Sequence, residues 1–225
     1  MSDASLSVGF IMDGNRRWAK AQGRPTVEGH RAGRDTLMKV LEWSQARNIP
    51  SLIFYAFSTE NWKRSHDEVT YLLDLFRMGI NELAKEVDSK NVKIRFVGDL
   101  DRFPDDLHNQ MTELEAKTAN NAKGTIAWAV SYGGRAELVA ACNALKNSDK
   151  PITEADVASA LWTHDIPDPD IIIRTGGQQR LSNFLTWQSV YSELFFTDTL
   201  WPDFSQAEFT NILSEFSERK RNYGK

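Results

Sequence analysis

IMDGNRRWAK, Ile11 to Lys20, sets an apolar run against a turn of small residues that carries two arginines. The run beginning at Val8 reads as a buried strand, and Asp13 stands where it ends. An aspartate at that point, followed by Gly14 and Asn15, leaves several backbone N–H groups unpaired and pointing one way, which suits a cluster of phosphate oxygens. Taken alone, Asp13 serves equally well as a helix cap. A cap does not call for Arg16, Arg17 and a later Arg24, whereas chelation of Mg²⁺ by one carboxylate plus substrate phosphates uses this sparse protein contribution. Phosphate chemistry is therefore the first reading to test.

Outward from this stretch, apolar runs rich in β-branched and aromatic residues recur at Ser51–Phe57, Val92–Val97, Thr125–Val130, Asp170–Arg174 and Glu193–Phe196, and these read as strands. Between them, helical spacing marks Arg31–Arg47, Asp67–Val87, Asp105–Asn120, Arg135–Lys146, Thr153–Trp162 and Gln206–Arg221. The alternation predicts an α/β fold, a single domain over residues 1–225 with a central, mainly parallel six-stranded sheet flanked by helices. Ligands of such sheets gather beyond the carboxyl ends of the strands, and three chemically loaded segments fall there: 13–18, 58–64 and 174–184. Converging, they bring Asp13, Arg17, Arg64, Arg174 and Arg180 together, enough cation for two diphosphates.

Composition narrows the classes. With 225 residues and 41% apolar content, the chain can bury one sizeable core. A net charge of −4 excludes the basic field of a nucleic-acid binder, so an anion site must be a local gathering of arginines. The single cysteine, Cys142, excludes an internal disulfide and a multi-cysteine zinc site; its Ala-rich helical setting predicts a packed core thiol. No leader-like segment and no run of about 18 apolar residues is present, so a soluble, cytoplasmic protein is expected. His66, His108 and His164 read as surface or loop residues, while His30, soon after the arginine turn, divides evenly between function and helix start. Trp18 and Trp62 read either as core or as walls of an apolar substrate site.

Five separated motifs, Ile11–Lys20, Tyr55–Arg64, Ser131–Arg135 (SYGGR), Ile173–Phe184 and Tyr191–Phe204 (YSELFFTDTLWPDF), span nearly the whole chain. In this order they resemble the cis-prenyltransferase family, especially its bacterial undecaprenyl diphosphate synthases. The resemblance implies Mg²⁺-dependent condensation of isopentenyl diphosphate with an allylic diphosphate such as farnesyl diphosphate, adding C5 units with Z geometry and releasing pyrophosphate. It implies a C55 product for a cell-wall carrier lipid, a homodimer, peripheral membrane contact as the lipid leaves, and an apolar tunnel. Asp13 would then be the essential acid and a metal ligand, with Gly14, Asn15, Arg16 and Arg17 cradling the allylic diphosphate and His30, Trp18 and Arg24 joining that site. Ser58, Thr59, Glu60, Asn61, Trp62 and Arg64 would shape the reacting centre, with Asn61 taking part in proton removal. Arg174, Arg180, Leu181 and Ser182 would hold isopentenyl diphosphate, and Glu193 would be a second metal ligand at a site shared in the dimer.

The chain departs from the family pattern at Thr26, where an arginine is usual and Arg24 stands close enough to substitute, and at Gln178 and Gln179, where Glu-His or Glu-Gln is common. It departs again at Asn222, in place of a terminal Arg-x-Gly, with Arg221 nearby. In the tunnel that the resemblance implies, Ala56 would leave the mouth small-walled and Trp128 would narrow it deeper in, and Val69–Ile80 reads equally as its wall or as ordinary core. Rival readings are a non-catalytic partner subunit of the same fold, a shorter-chain Z-prenyl diphosphate synthase and a generic phosphate-binding module. A helical trans-prenyltransferase fails on its DDxxD requirement, since Asp105-Asp106 is followed by Leu107-His108-Asn109.

Overall fold

Every one of the six apolar runs forms a strand, because each presents β-branched or aromatic side chains to the covered faces of a sheet whose edge strands stay partly open. A computed structural model describes residues 6–219, the side chains of 86–90 excepted. The strands are β1 (Ser7–Ile11), β2 (Ser51–Ser58), β3 (Lys93–Val97), β4 (Thr125–Tyr132), β5 (Ile171–Arg174) and β6 (Glu193–Phe196). They lie in the order β3-β4-β2-β1-β5-β6, and every neighbouring pair is parallel. The helices are α1 (Asn15–Ala21), α2 (Thr26–Ala46), α3 (His66–Lys90), α4 (Asp105–Thr118), α5 (Gly134–Leu145), α6 (Glu154–Ala160) and α7 (Gln206–Glu218).

Strand alternation sends side chains into two core layers. Val8, Phe10, Phe54, Trp128, Ile171 and Ile173 join Val40 of α2, Leu73 of α3, Leu107 of α4 and Phe209 of α7. Ile11, Ile53, Ala127, Ala129 and Ile172 face the other way, with Phe184 and Leu185. The connection from β1 leads to β2 on one side, while β5 packs on the other side of β1 and leads outward to β6. The crevice between the ends of β1 and β5 is thus a topological switch point, where open α/β sheets hold their ligands.

Three features differ from expectation. Residues 15–21 are a helix, too short for periodicity to reveal. Helix α2 starts a turn earlier than expected, at Thr26, because packing of its glycine-bearing first turns against α1 overrides the weak propensity of Thr, Val and Gly. Cys142 is exposed, not packed: α5 buries Gly134, Glu137 and Ala141, and the next position is turned about 100° away from that face.

Candidate active site

Asp13 follows β1 with its backbone pinned. Its carbonyl accepts from Thr175 Oγ1 at 2.7 Å and from the Trp201 N–H at 3.0 Å. Its carboxylate accepts from Arg174 Nη2 at 2.9 Å and Arg17 Nη2 at 3.1 Å. Arg174 is only 5% exposed, while Asp13 keeps 31% of its side chain in the open, so the pair has a buried cationic side and an accessible anionic one. The other Arg174 nitrogen, Nη1, donates to Ser182 Oγ at 2.7 Å and to the Arg180 carbonyl at 2.5 Å. The loop after β5 is thereby wrapped around Arg174.

On the α1 side, Asp13, Arg16, Arg17, Arg24, Thr26, His30 and Arg64 surround a cup of about 820 Å³. The first backbone bond into α1 runs from the Trp18 N–H to the Gly14 carbonyl, so the N–H groups of 15–17 have no partner within the helix. Glu68 of α3 accepts from Arg64 Nη1 at 2.9 Å and lies 3.7 Å from Arg16 Nη1, which ties two cup cations to the top of that helix. Arg24 and Thr26 line the cup together, with Arg24 Nη1 3.5 Å from Glu28 Oε2.

Beneath the cup lies an apolar cavity of about 160 Å³, walled by Leu37 of α2, Leu72, Phe76 and Ile80 of α3, and Phe57, Phe103 and Trp128. Met12, Asn15 and His30 line both spaces. Of the segment 69–80, Leu72, Leu73, Leu75, Phe76, Gly79 and Ile80 line this cavity, which α3 continues to Leu83, while Val69 packs against the core. Burial, and then the nearby guanidinium of Arg64, hold the His30 imidazole down at about 4, so it is neutral at ordinary pH. Its Nε2 is buried without a partner among the described residues, as is Asn15 Oδ1. Both polar atoms stand where cup and cavity meet.

A second cationic region lies across Asp13. Arg180 Nη1 donates to Gln178 Oε1 at 2.7 Å. Since Gln178 is neutral, that bond leaves the Arg180 charge uncancelled. Asn183 stitches the region together: its Nδ2 donates to Glu60 Oε1 at 3.2 Å, and its Oδ1 accepts the Arg135 N–H at 2.9 Å. Desolvation would raise the Glu60 carboxyl, but hydrogen bonds from its own backbone, Ser58, Asn183 and Thr59 outweigh it and hold the group below its usual range. Asn61 Oδ1 accepts the Ser58 N–H at 3.0 Å, a capping box that closes the turn after β2.

Some expected residues sit elsewhere. Neither Trp18 nor Trp62 lines the cavity. Trp18 Nε1 donates to Asp203 Oδ1 at 2.8 Å with Arg24 over its ring, so it braces a cup cation. Trp62 packs behind the wall, with Phe57 at 4.9 Å and Phe103 at 5.4 Å, and donates to Ser131 Oγ. Leu181 packs against the second core layer. Glu193 does not meet Asp13 within the chain: β6 pairs Glu193 with Ile171 and Phe196 with Arg174, which puts it at the opposite end of the sheet, held by Arg219 Nη1 at 2.5 Å. Asn222 and Arg221 lie outside the described residues.

Sequence reading gave no role to Trp201, Thr175, Gly29 or Gly33. Trp201 holds Asp13 through its backbone and α2 through an indole bond to the Gly33 carbonyl at 2.7 Å. Gly29 and Gly33 let α1 rest on α2, since a Cβ would come within 2.1 Å of the Asn15 carbonyl oxygen or 2.3 Å of its Oδ1. The WPDF run and the four-residue spacing of two glycines were the available signals.

Among the described residues no group of three His, Cys, Asp or Glu gathers to hold a metal. A lone, partly open carboxylate beside an anion cup is what a Mg²⁺ ion arriving with its diphosphate would use. No helix of the described residues is long and apolar enough to cross a membrane.

Residues 11–224 match the prenyltransferase family profile described as "Putative undecaprenyl diphosphate synthase". The trans,polycis-polyprenyl diphosphate synthase ((2Z,6E)-farnesyl diphosphate specific) of Thermobifida fusca strain YX is 44% identical over 224 residues, 96% of this chain and 79% of that protein. The crystal structure of lavandulyl diphosphate synthase from Lavandula x intermedia, in complex with dimethylallyl diphosphate, superposes with a TM-score of 0.94 at 31% identity, covering all of both chains. That of a probable undecaprenyl diphosphate synthase from Campylobacter jejuni gives 0.83 at 34% identity, covering 98% of this chain and 99% of the other.

Proposed function

The chain belongs to the undecaprenyl diphosphate synthase family of prenyltransferases, and on that premise we propose that it condenses isopentenyl diphosphate with an allylic diphosphate to give a Z-polyprenyl diphosphate. The observation that carries this reading is that a guanidinium-lined cup and an apolar cavity share Met12, Asn15 and His30. An allylic diphosphate has the same two parts, joined at the carbon that reacts.

Arg16, Arg17, Arg24 and Arg64 hold the allylic diphosphate, with its hydrocarbon tail in the cavity. Arg174, Arg180 and Ser182 hold isopentenyl diphosphate across Asp13. As the allylic C–O bond breaks, negative charge grows on the departing diphosphate, and fixed guanidiniums favour that state over the ground state. Mg²⁺ held by Asp13 and the diphosphate would add Lewis-acid stabilisation of the same charge. Neutral His30 borders the reacting carbon without adding a cation to it, and the apolar wall excludes water. Asn61, fixed by its capping bond, stands ready to take part in removing the proton lost from the isopentenyl unit.

The reading includes a homodimer working in the cytoplasm. Edge strand β6 follows the exposed Val190 and Tyr191, an apolar patch suited to a second copy. Glu193 reaches a metal at Asp13 only if that copy supplies it. A C55 carrier lipid, which leaves through passing contact with a membrane surface, is the product the family resemblance favours.

The test is incorporation of radiolabelled isopentenyl diphosphate by the purified chain alone, with Mg²⁺ and C10 or C15 allylic primers. Extension of the primer is expected. A folded chain that incorporates label only when a second, different subunit is added is instead the non-catalytic partner.

A further inference from the structure

The parallel register lines up Phe10 with Phe54, Phe54 with Trp128, and Trp128 with Phe96. All four rings face α2 and α3, and together they form one aromatic rung across four strands. Phe10 stacks on Phe54 at 5.2 Å, Phe54 on Trp128 at 5.3 Å, and Phe76 of α3 closes edge-on over Phe96 at 5.9 Å. Trp128 belongs to the lining of the apolar cavity below the cup. The next same-face residues toward the strand starts, Leu52, Ile126 and Ile94, are also in register and line a second cavity of about 390 Å³.

The two cavities meet the same helices one turn apart. Leu37 of α2 borders the upper and Leu41 the lower, while Leu83 of α3 borders both. Between them on the sheet lies the aromatic rung, of which Trp128 is the member that lines the upper cavity. Its Nε1 is buried without a partner among the described residues, so packing alone holds the ring in place.

We propose that Trp128 is the stop that sets product length in this protein: a growing prenyl chain fills the upper cavity until it abuts the aromatic rung, and the lower cavity is reached only when that indole is removed. The proposal rests on the prenyl-transfer reading above. It assigns a length-determining role to one side chain at mid-sheet.

The experiment is product sizing by chromatography for wild type, Trp128→Ala, Trp128→Leu, Ile126→Ala and the double variant Trp128→Leu/Ile126→Phe, with radiolabelled isopentenyl diphosphate in excess. Trp128→Leu is included because truncation to alanine opens a large void; circular dichroism and thermal unfolding identify the variants that fold. The longest product should grow by at least one C5 unit in the Trp128 variants, stay unchanged in Ile126→Ala, and shorten again in the double variant. An active wild type whose longest product is the same in every folded variant overturns the stop while leaving the prenyl-transfer reading intact. A folded wild type that incorporates no label overturns that reading, and the stop with it.

Discussion

Arg174 and Asp13 join across the switch point of the sheet, Nη2 of one donating to Oδ2 of the other at 2.9 Å. Nη1 of the same buried guanidinium donates to Ser182 and the Arg180 carbonyl, so one planar fork fixes both the acid and the loop that would carry the second substrate. A lysine keeps the charge but has no fork. Each lost charge-assisted bond is worth about 1.5–3 kcal/mol, so Arg174→Lys should raise the KM for isopentenyl diphosphate roughly 10- to 100-fold and change that for the allylic primer much less. Steady-state kinetics with each substrate varied in turn check this, and equal shifts in both constants would place Arg174 elsewhere.

His30 makes stability depend on pH. Burial and Arg64 hold its folded value at about 4, against an ordinary 6.5. Between those values the unfolded chain takes up a proton that the folded chain refuses, so stability is full above 6.5 and falls as pH drops toward 4. The loss attributable to this group is about 3 kcal/mol at most. Urea unfolding of wild type and His30→Gln across pH 4.5 to 7.5 should show the stability difference between them shifting against the wild type on acidification. A constant difference would mean that the imidazole is not held neutral.

The glycine face of α2 supports the cup. Gly33→Ala sets a Cβ 2.3 Å from Asn15 Oδ1, so either Asn15 or the first turn of α1 must move. Overpacking of this kind costs about 1–3 kcal/mol. The expected result is a modest loss in urea midpoint with a larger rise in the KM for the allylic primer. Wild-type primer affinity in the folded variant would show that the contact of α1 with α2 does not shape the cup.

Glu137 is 1% exposed, and its carboxylate accepts from the Tyr132 hydroxyl, the Thr163 N–H and Oγ1, and Gln188 Nε2. Alanine would strand these donors in the core behind the 181–191 segment. Glu137→Ala should therefore lose about 3 kcal/mol or more by urea unfolding, with Glu137→Gln losing less because it keeps an acceptor. Equal stability of both variants with wild type would show that the network is dispensable.

Much of this was legible from local sequence. Six strands announced themselves by β-branched and aromatic runs, and Asp13, Arg17, Arg64, Arg174 and Arg180 stood at strand ends where the fold class puts ligands. What escaped reading depends on which strand lies beside which. The distance of Glu193 from Asp13 follows from β6 pairing in register with β5, and the rung of Phe10, Phe54, Trp128 and Phe96 exists only through the pairing of β1, β2, β4 and β3. The tryptophans stayed undecided between core and wall for a related reason. Their neighbours Asp203 and Ser131 are remote in sequence, and composition alone does not say whether an indole lines a wall or stands behind it.

The most direct test of the central claim is Mg²⁺-dependent incorporation of radiolabelled isopentenyl diphosphate by wild type beside Asp13→Asn. The substitution keeps the shape of the side chain and removes the charge that faces the cup and both guanidiniums. The account predicts at least a roughly 100-fold loss of turnover, about 2.7 kcal/mol of transition-state stabilisation, in a variant whose circular dichroism matches wild type. Turnover within a few-fold of wild type in that folded variant would contradict it.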